Sequence, residues 1–540
     1  MWDQTGFGYV GFDSRLRFNW ASEWAAALST DGVAGVQALL ERKIRARERA
    51  TIDKLAASST PIIYVIPEAN LGGWELEAGV GDLPWLKSSQ DMQDWYNCFE
   101  HARKALDSSD IEAARIAASR MCDIDCGTAV AGAQILSHCE LFLGNVEESI
   151  LWKRRAWDSH TWETPSSFQV PYATSWSNDE LRRGLAECGI DVVDCSEVLR
   201  AHLHGGGPDN RVFLDYCHMT SEAIQVTMSA VASKICACFG LTLTNPDPLN
   251  TLPPPQIEAS ARVAAAVHCA HWGQGALIVR HHLEAALALN QDIEHVLSDY
   301  LSVIARGTPN WMCAQVANIF VRDKVLSRYL TGYGVGKLFD ELLVREIVAV
   351  LARHGHDLDP SILEARARAY SVREDTFLNL LDIRFAPSFQ DREWSYSRER
   401  DVMQFGSGHV VHYVALSNQS QFVFMATQTS KDLELTLTCR CLLNPEQTVR
   451  LFINETEIEE VAIANDWRTI STTIRSSELR TQQLNVLKIE WGARIGSTQA
   501  RQAINTATTM ALSPGEPLHR KFRLLPIFGE IHTLRLRTYV

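Results

Sequence analysis

The chain has 540 residues, 46% of them hydrophobic and 21% charged, and carries a net charge of −14 from 51 basic against 65 acidic side chains. That length accommodates about three or four domains of ~150 residues with a core of ordinary size. The acidic balance argues against nucleic acid as a partner, because phosphate binding needs a basic face, and it supplies no polybasic membrane signal.

Met1-Trp2-Asp3-Gln4-Thr5 has neither the basic start nor the apolar run of a signal peptide, and no apolar stretch is long enough to span a bilayer. The 13 cysteines are odd in number and scattered; Cys236/Cys238 and Cys439/Cys441 are i, i+2 pairs without zinc spacing. The expectation is a reduced, cytoplasmic compartment, no structural metal and no cofactor.

Residues 1–20 are rich in glycine and aromatics and give no regular element. Residues 20–57 read as helix: Trp24, Ala27 and Leu28, then Leu39, Leu40, Ile44 and Leu55 recur at helical spacing, with ERKIRARER as a solvated face. TPIIYVIPE, Thr60 to Glu68, is a short β-branched apolar run ended by Pro67, which suits a parallel strand buried on both faces. The loop after it, from Ala69 to Trp74, lies at the strand's carboxyl end, the edge where α/β sheets bind ligands. Asn70 there is either a donor to a substrate oxygen or a turn residue.

Residues 92–160 are helical and weakly repetitive. Ser109-Asp110-Ile111-Glu112-Ala113-Ala114 aligns with Gly144-Asn145-Val146-Glu147-Glu148-Ser149 at an offset of 35, close to the ~34-residue tetratricopeptide period. Two such units cannot stand alone, so they are expected to lean on the α/β domain, as a partner-binding surface or as a lid. The α/β pattern resumes at Trp176: a helix over 178–188 stopped by Gly189, a strand over 190–194, a helical turn over 196–202 and the loop His204-Gly205-Gly206-Gly207-Pro208.

Asn210 to Ser221, NRVFLDYCHMTS, then brings the chemistry. Val212-Phe213-Leu214 suits a short buried strand, and a helical run follows from Ser221 to Phe239. Asp215-x-x-His218 at such a junction sets a carboxylate beside an imidazole, so that Asp215 fixes the tautomer and His218 acts as a base towards a hydroxyl nucleophile.

NPDPLNTLPPPQ, Asn245 to Gln256, is a Pro-dense linker. Residues 257–390 read as all helix: Ala261, Ala264, Ala265, His268 and Trp272 share one face, Val296, Tyr300, Leu301 and Ile304 continue the pattern, and Leu338 to Leu351 is a further helix. His268, His271, His281 and His282 lack the third ligand of a zinc site and read as packing or capping residues. From about 400 the period changes to two. Leu433, Leu435, Leu437, Cys439 and Cys441 alternate with polar residues, a hairpin follows around Asn454-Glu455, and strands at 467–470, 486–491 and 526–536 complete a β-sandwich.

FLDYCHMTSEAIQ, Phe213 to Gln225, resembles the last motif block of the SGNH (GDSL-type) hydrolases, most closely the bacterial subgroup with tetratricopeptide-like helices inserted into the hydrolase domain. Pro67-x-x-Asn70 and AHWGQ, Ala270 to Gln274, are similar to stretches of the same subgroup. The resemblance implies a multidomain chain. An SGNH-like α/β three-layer sandwich occupies 1–90 and 165–240, with a tetratricopeptide-like insertion over 91–164. An all-α region covers 257–390 and a jelly-roll-like β-sandwich 400–540, a fold that often accompanies glycan-active enzymes.

The resemblance also implies an ester hydrolase, a carbohydrate or small-molecule O-acyl or O-acetyl esterase or related acyltransferase, with His218 and Asp215 catalytic and Asn70 substrate-binding. The family's nucleophile lies in an N-terminal Gly-Asp-Ser block. Phe12-Asp13-Ser14 is a poor match, because helix follows where two more strands belong. The serine is therefore expected outside this chain, upstream or on a separate fragment. The alternative is a non-catalytic scaffold whose repeat helices and sandwich bind a protein or a glycan.

Overall fold

A computed structural model describes residues 14–76, 89–159, 174–242, 252–271, 274–306 and 341–356 and, with short interruptions, 367–381, 413–492 and 529–538. They fall into two compact units that divide between Leu252 and Pro253. Among the described residues no helix is long and apolar enough to cross a membrane, and the described cysteines are free thiols.

The first unit runs α1 (Ser14–Ala56), β1 (Ile63–Ile66), α2 (Ser89–Asp107), α3 (Ile111–Asp125), α4 (Val130–Phe142), α5 (Val146–Ser159), α6 (Ser175–Glu187), β2 (Asp191–Asp194), α7 (Cys195–His202) and α8 (Ser221–Cys238). β1 and β2 pair in parallel, Ile63 opposite Asp191 and Ile66 opposite Asp194. Prolines 61 and 67 flank β1 on both sides, so the strand is shorter than its apolar run. One face is closed by α1 and α6: Ile52, Leu181 and Leu185 pack on Ile66 with Tyr64 and Val192 at the margin. On the other side α7 and α8 enclose Cys195, Leu199, Val212, Phe213 and Ala223. The layering is helix, sheet, helix, and the sheet has two strands among the described residues.

α2 to α5 are four helices joined by tight turns. The turn after α2 and the turn after α4 share one geometry. Ser109 and Gly144 both take left-handed backbone, at φ 60° and 81°. Asp110 N donates to Ala105 O and Asn145 N to Glu140 O, each at 2.8 Å. This is the hydrogen-bonded stop that ends many helices, and it recurs at the offset of the sequence repeat. The insertion is tied to the sheet through Arg154 of α5, whose guanidinium meets Glu68 at 2.7 Å, two residues past β1.

At the end of α3, Asp125 is buried and accepts from Trp95 Nε1 at 2.8 Å and Gly127 N at 2.7 Å. Burial dominates over these hydrogen bonds and pushes its carboxyl up to about 7. The folded state then holds a proton that the unfolded chain has released, so this contribution to stability is full below the ordinary carboxylate range and is lost as pH rises towards 7. Asp125→Asn is expected to flatten the pH dependence of the melting temperature between about pH 4 and 7. Parallel melts of both proteins at several pH values check this; identical slopes would refute it.

The second unit opens with α9 (Pro255–His271), α10 (Ala276–Leu289), α11 (Ile293–Arg306) and α12 (Glu341–Arg353). Arg280 of α10 pairs with the buried Glu346 of α12 at 2.8 Å. Then follow β3 (Leu378–Asn379), β4 (Tyr413–Ala415), β5 (Gln419–Met425), β6 (Leu433–Arg440), β7 (Gln447–Ile453), β8 (Thr456–Ile463), β9 (Arg468–Ile474), β10 (Leu484–Trp491) and β11 (Gly529–Thr538). They form two antiparallel sheets, β5-β10-β7-β8 and β3-β11-β6-β9, with β4 also on β11. Sandwich pairing starts earlier than the expected 400: Leu378 pairs with Leu536, and Ser371 bridges to Met425.

The sheets meet where Trp491 of β10 lies on Gly529 of β11; a Cβ at Gly529 would stand 2.1 Å from the indole. The buried indole donates to Ser420 Oγ at 3.0 Å, so it cannot simply swing away. Gly529→Ala is expected to cost about 1–3 kcal/mol of sandwich stability. Thermal unfolding followed by tryptophan fluorescence measures it, and an unchanged transition would contradict this packing.

Candidate active site

The site is assembled where β1 ends. The loop over 68–74 is sewn to the segment over 208–216. Asn70 N donates to Tyr216 O at 3.0 Å and Gly72 N to Pro208 O at 2.8 Å. The Asn70 amide donates to Asn210 Oδ1 and to Asp215 O, both at 2.9 Å, and accepts from Gly73 N at 2.8 Å. Asn70 is fully buried and its backbone is not left-handed. Both of its amide hydrogens are committed, so the expected role as a donor to substrate gives way to that of a brace holding the loop that carries Asp215. Gly73 makes the approach possible: a Cβ there would sit 2.2 Å from Asn210 Oδ1. Trp74 packs edge-on against Tyr216, with ring centroids 5.3 Å apart.

Val212-Phe213-Leu214 is not a strand. The segment folds back on itself: Phe213 bridges to Met219, Leu214 N donates to His218 O at 2.7 Å, and Thr220 N donates to Val212 O at 2.9 Å. Val212 and Phe213 are buried as expected, but as the floor of a loop. Their backbone groups bond within the loop, so no sheet position is needed to satisfy them. Thr220 accepts from Ala223 N at 3.2 Å and starts α8.

This loop presents Asp215 and His218 together. Asp215 is buried, and its Oδ1 accepts from Cys217 N at 2.9 Å and His218 N at 2.8 Å. Those two bonds fix the carboxylate so that Oδ2 meets His218 Nδ1 at 2.7 Å. The His218 side chain is 56% exposed. Its hydrogen bond to Asp215, then its contact with Cys217, outweigh partial burial and raise the imidazole to about 10. The pairing favours the protonated ring, and its basic form grows as pH rises. Once neutral, it keeps the Nδ1 proton on Asp215 and turns the Nε2 lone pair outward. Among the described residues no hydrogen bond engages Nε2.

Cys217 Sγ lies 3.7 Å from His218 Nδ1, the nitrogen already held by Asp215. A nucleophile served by this dyad must meet Nε2, so Cys217 is not placed as one. Ser14 is the first residue of α1, and its side chain lies outside the described residues. Among the described residues, Asp215, Cys217 and His218 form the group able to hold a metal ion, with donor atoms within 4.8 Å of one another. Of the other histidines, His268 and His282 are buried, and His282 Nδ1 faces Arg262 at 3.3 Å, a cationic neighbour unsuited to a metal ligand. Trp272 lies outside the described residues.

Two contributors carried no sequence signal: Asn210, which fixes the Asn70 amide, and the Glu68–Arg154 pair, whose partners are 86 residues apart. Asp215, His218 and Asn70 are brought into one loop cluster, in which the Asn70 amide is bonded to Asn210 and to the Asp215 carbonyl. No protein-family model matches the chain, and no curated protein matches it.

Proposed function

We propose that the chain is an SGNH-like ester hydrolase acting on O-acyl or O-acetyl esters of a carbohydrate or small molecule, with the Asp215–His218 dyad serving a serine outside the described residues. The observation that carries this reading is the 2.7 Å contact between Asp215 Oδ2 and His218 Nδ1, with Oδ1 clamped by two backbone N–H groups. His218 Nε2 takes the serine proton as the oxygen attacks the acyl carbonyl, then returns it to the departing alcohol; Asp215 stabilises the imidazolium throughout. Water, or a sugar hydroxyl in an acyltransferase, takes the acyl group in the second half-reaction.

Support also comes from what remains uncovered. A continuous apolar strand suits burial on both faces, yet Val65 of β1 is 38% exposed. α8 is apolar in sequence, yet exposes Ile224, Met228 and Ile235 along one stripe, with Phe239 exposed just past its end. This is room for further α/β elements that bring the nucleophile and the oxyanion donors. The test is acetate release from p-nitrophenyl acetate and acetylated oligosaccharides, by the chain isolated from its native source. Turnover lost in His218→Ala supports the hydrolase; turnover that His218→Ala leaves unchanged, or none, overturns it.

One observation favours the scaffold reading. Leu141, Phe142, Leu143 and Val146 are all exposed around the turn between α4 and α5, an apolar patch suited to a protein partner.

A further inference from the structure

We infer that Asp215, Cys217 and His218 form a site for a soft divalent cation of the zinc class, and that occupancy switches the dyad off. The three donors come from four consecutive residues and converge on one side of the imidazole. Zinc bonds of ~2.3 Å to sulfur and ~2.05 Å to nitrogen at the tetrahedral angle place those two atoms about 3.6 Å apart. Cys217 Sγ and His218 Nδ1 already stand 3.7 Å apart. The Asp215 Oδ2–His218 Nδ1 distance of 2.7 Å is that of a charge-assisted hydrogen bond. A metal taking the proton's place needs about 3.3 Å there, an opening of roughly 0.6 Å. Because the His218 side chain is 56% exposed, its ring has room to move by that much.

The donor set selects the cation. One thiolate, one imidazole and one carboxylate suit zinc, whereas magnesium and calcium take oxygen ligands. Three protein ligands on an exposed loop leave the fourth position to water. Asp215 Oδ1 stays on its two backbone N–H groups, which orient the ligating oxygen from behind. Binding releases two protons to solvent, one from the Cys217 thiol and one from His218 Nδ1. The neutral, metal-bound ring must then carry its remaining proton on Nε2, the atom that has to accept the nucleophile's proton. The loaded site is therefore closed as a base. Cation binding itself does not rest on the hydrolase reading.

The test is titration of the full chain with cobalt(II), read by thiolate-to-metal charge-transfer absorption, followed by displacement with zinc. Cys217→Ser and His218→Ala are the comparison proteins, with folding followed by circular dichroism; Cys217→Ala serves if the serine variant unfolds. The site predicts one such band, displaced by zinc. It also predicts affinity weakened about 100-fold or more in each variant, since losing an outer-shell partner alone costs 10–100-fold. No band in the wild-type chain, or a band of equal affinity in folded Cys217 variants, overturns the site. If binding is present but hydrolysis is absent with and without chelator, the cation site stands and the hydrolase reading fails.

Discussion

Asp215→Asn is expected to lower ester turnover by about 10⁴-fold, with kcat falling and KM nearly unchanged. The substitution keeps the loop: Asn Oδ1 still accepts from Cys217 N and His218 N, the two bonds that hold position 215 now. What changes is the atom facing His218 Nδ1. An amide nitrogen is a donor, so Nδ1 must accept, and the ring's proton moves to Nε2. The imidazole then presents a donor where the reaction needs an acceptor. Steady-state kinetics on an acetyl ester, with the melting temperature as a control for folding, checks this. A loss below about tenfold would mean that Asp215 is a structural residue of the loop.

Arg154→Ala is expected to destabilise the first unit by about 3 kcal/mol. Glu68 keeps 2% of its side chain exposed, and Arg154 of α5 supplies its positive partner at 2.7 Å. Glu68 also accepts from Ala69 N at 2.9 Å, so it is held in place and cannot turn to solvent when the guanidinium is removed. The cost comes from a buried carboxylate left without its partner more than from the lost attraction. The double variant Glu68→Gln with Arg154→Ala is therefore expected to regain part of the stability that Arg154→Ala loses. Thermal unfolding of the four proteins of that cycle measures the coupling. A double variant no more stable than Arg154→Ala would locate the effect in Arg154 packing instead.

What the sequence made legible follows from what its residues can satisfy locally. Helices were readable because period, caps and stops lie within one segment: Asp110 and Thr220 cap α3 and α8 with their own side chains. The alternation of Leu433, Leu435, Leu437 and Cys439 reported one buried face of β6, and those four residues are buried. The dyad was readable because its two members are three residues apart and its geometry is made by one loop.

Contacts between distant segments were not readable. Val212-Phe213-Leu214 has a strand's composition, but the N–H groups of Leu214 and Thr220 bond inside the loop. Asn70 has a turn residue's identity, but Asn210 and the Asp215 carbonyl, 140 and 145 residues away, claim its amide. β3 is two residues long and exists because Leu536 and Arg535 offer it a neighbour. The start of α1 at Ser14 lay inside a stretch whose glycines and aromatics gave no helical period.

The most direct measurement is labelling with a fluorophosphonate probe, mapped by peptide mass spectrometry, on the chain isolated from its native source so that anything completing the site is retained. One adduct is expected on a serine, of this chain or of a polypeptide isolated with it, lost when His218 is replaced by Ala. A folded preparation with no adduct, or with an adduct that forms equally well in His218→Ala, would contradict it.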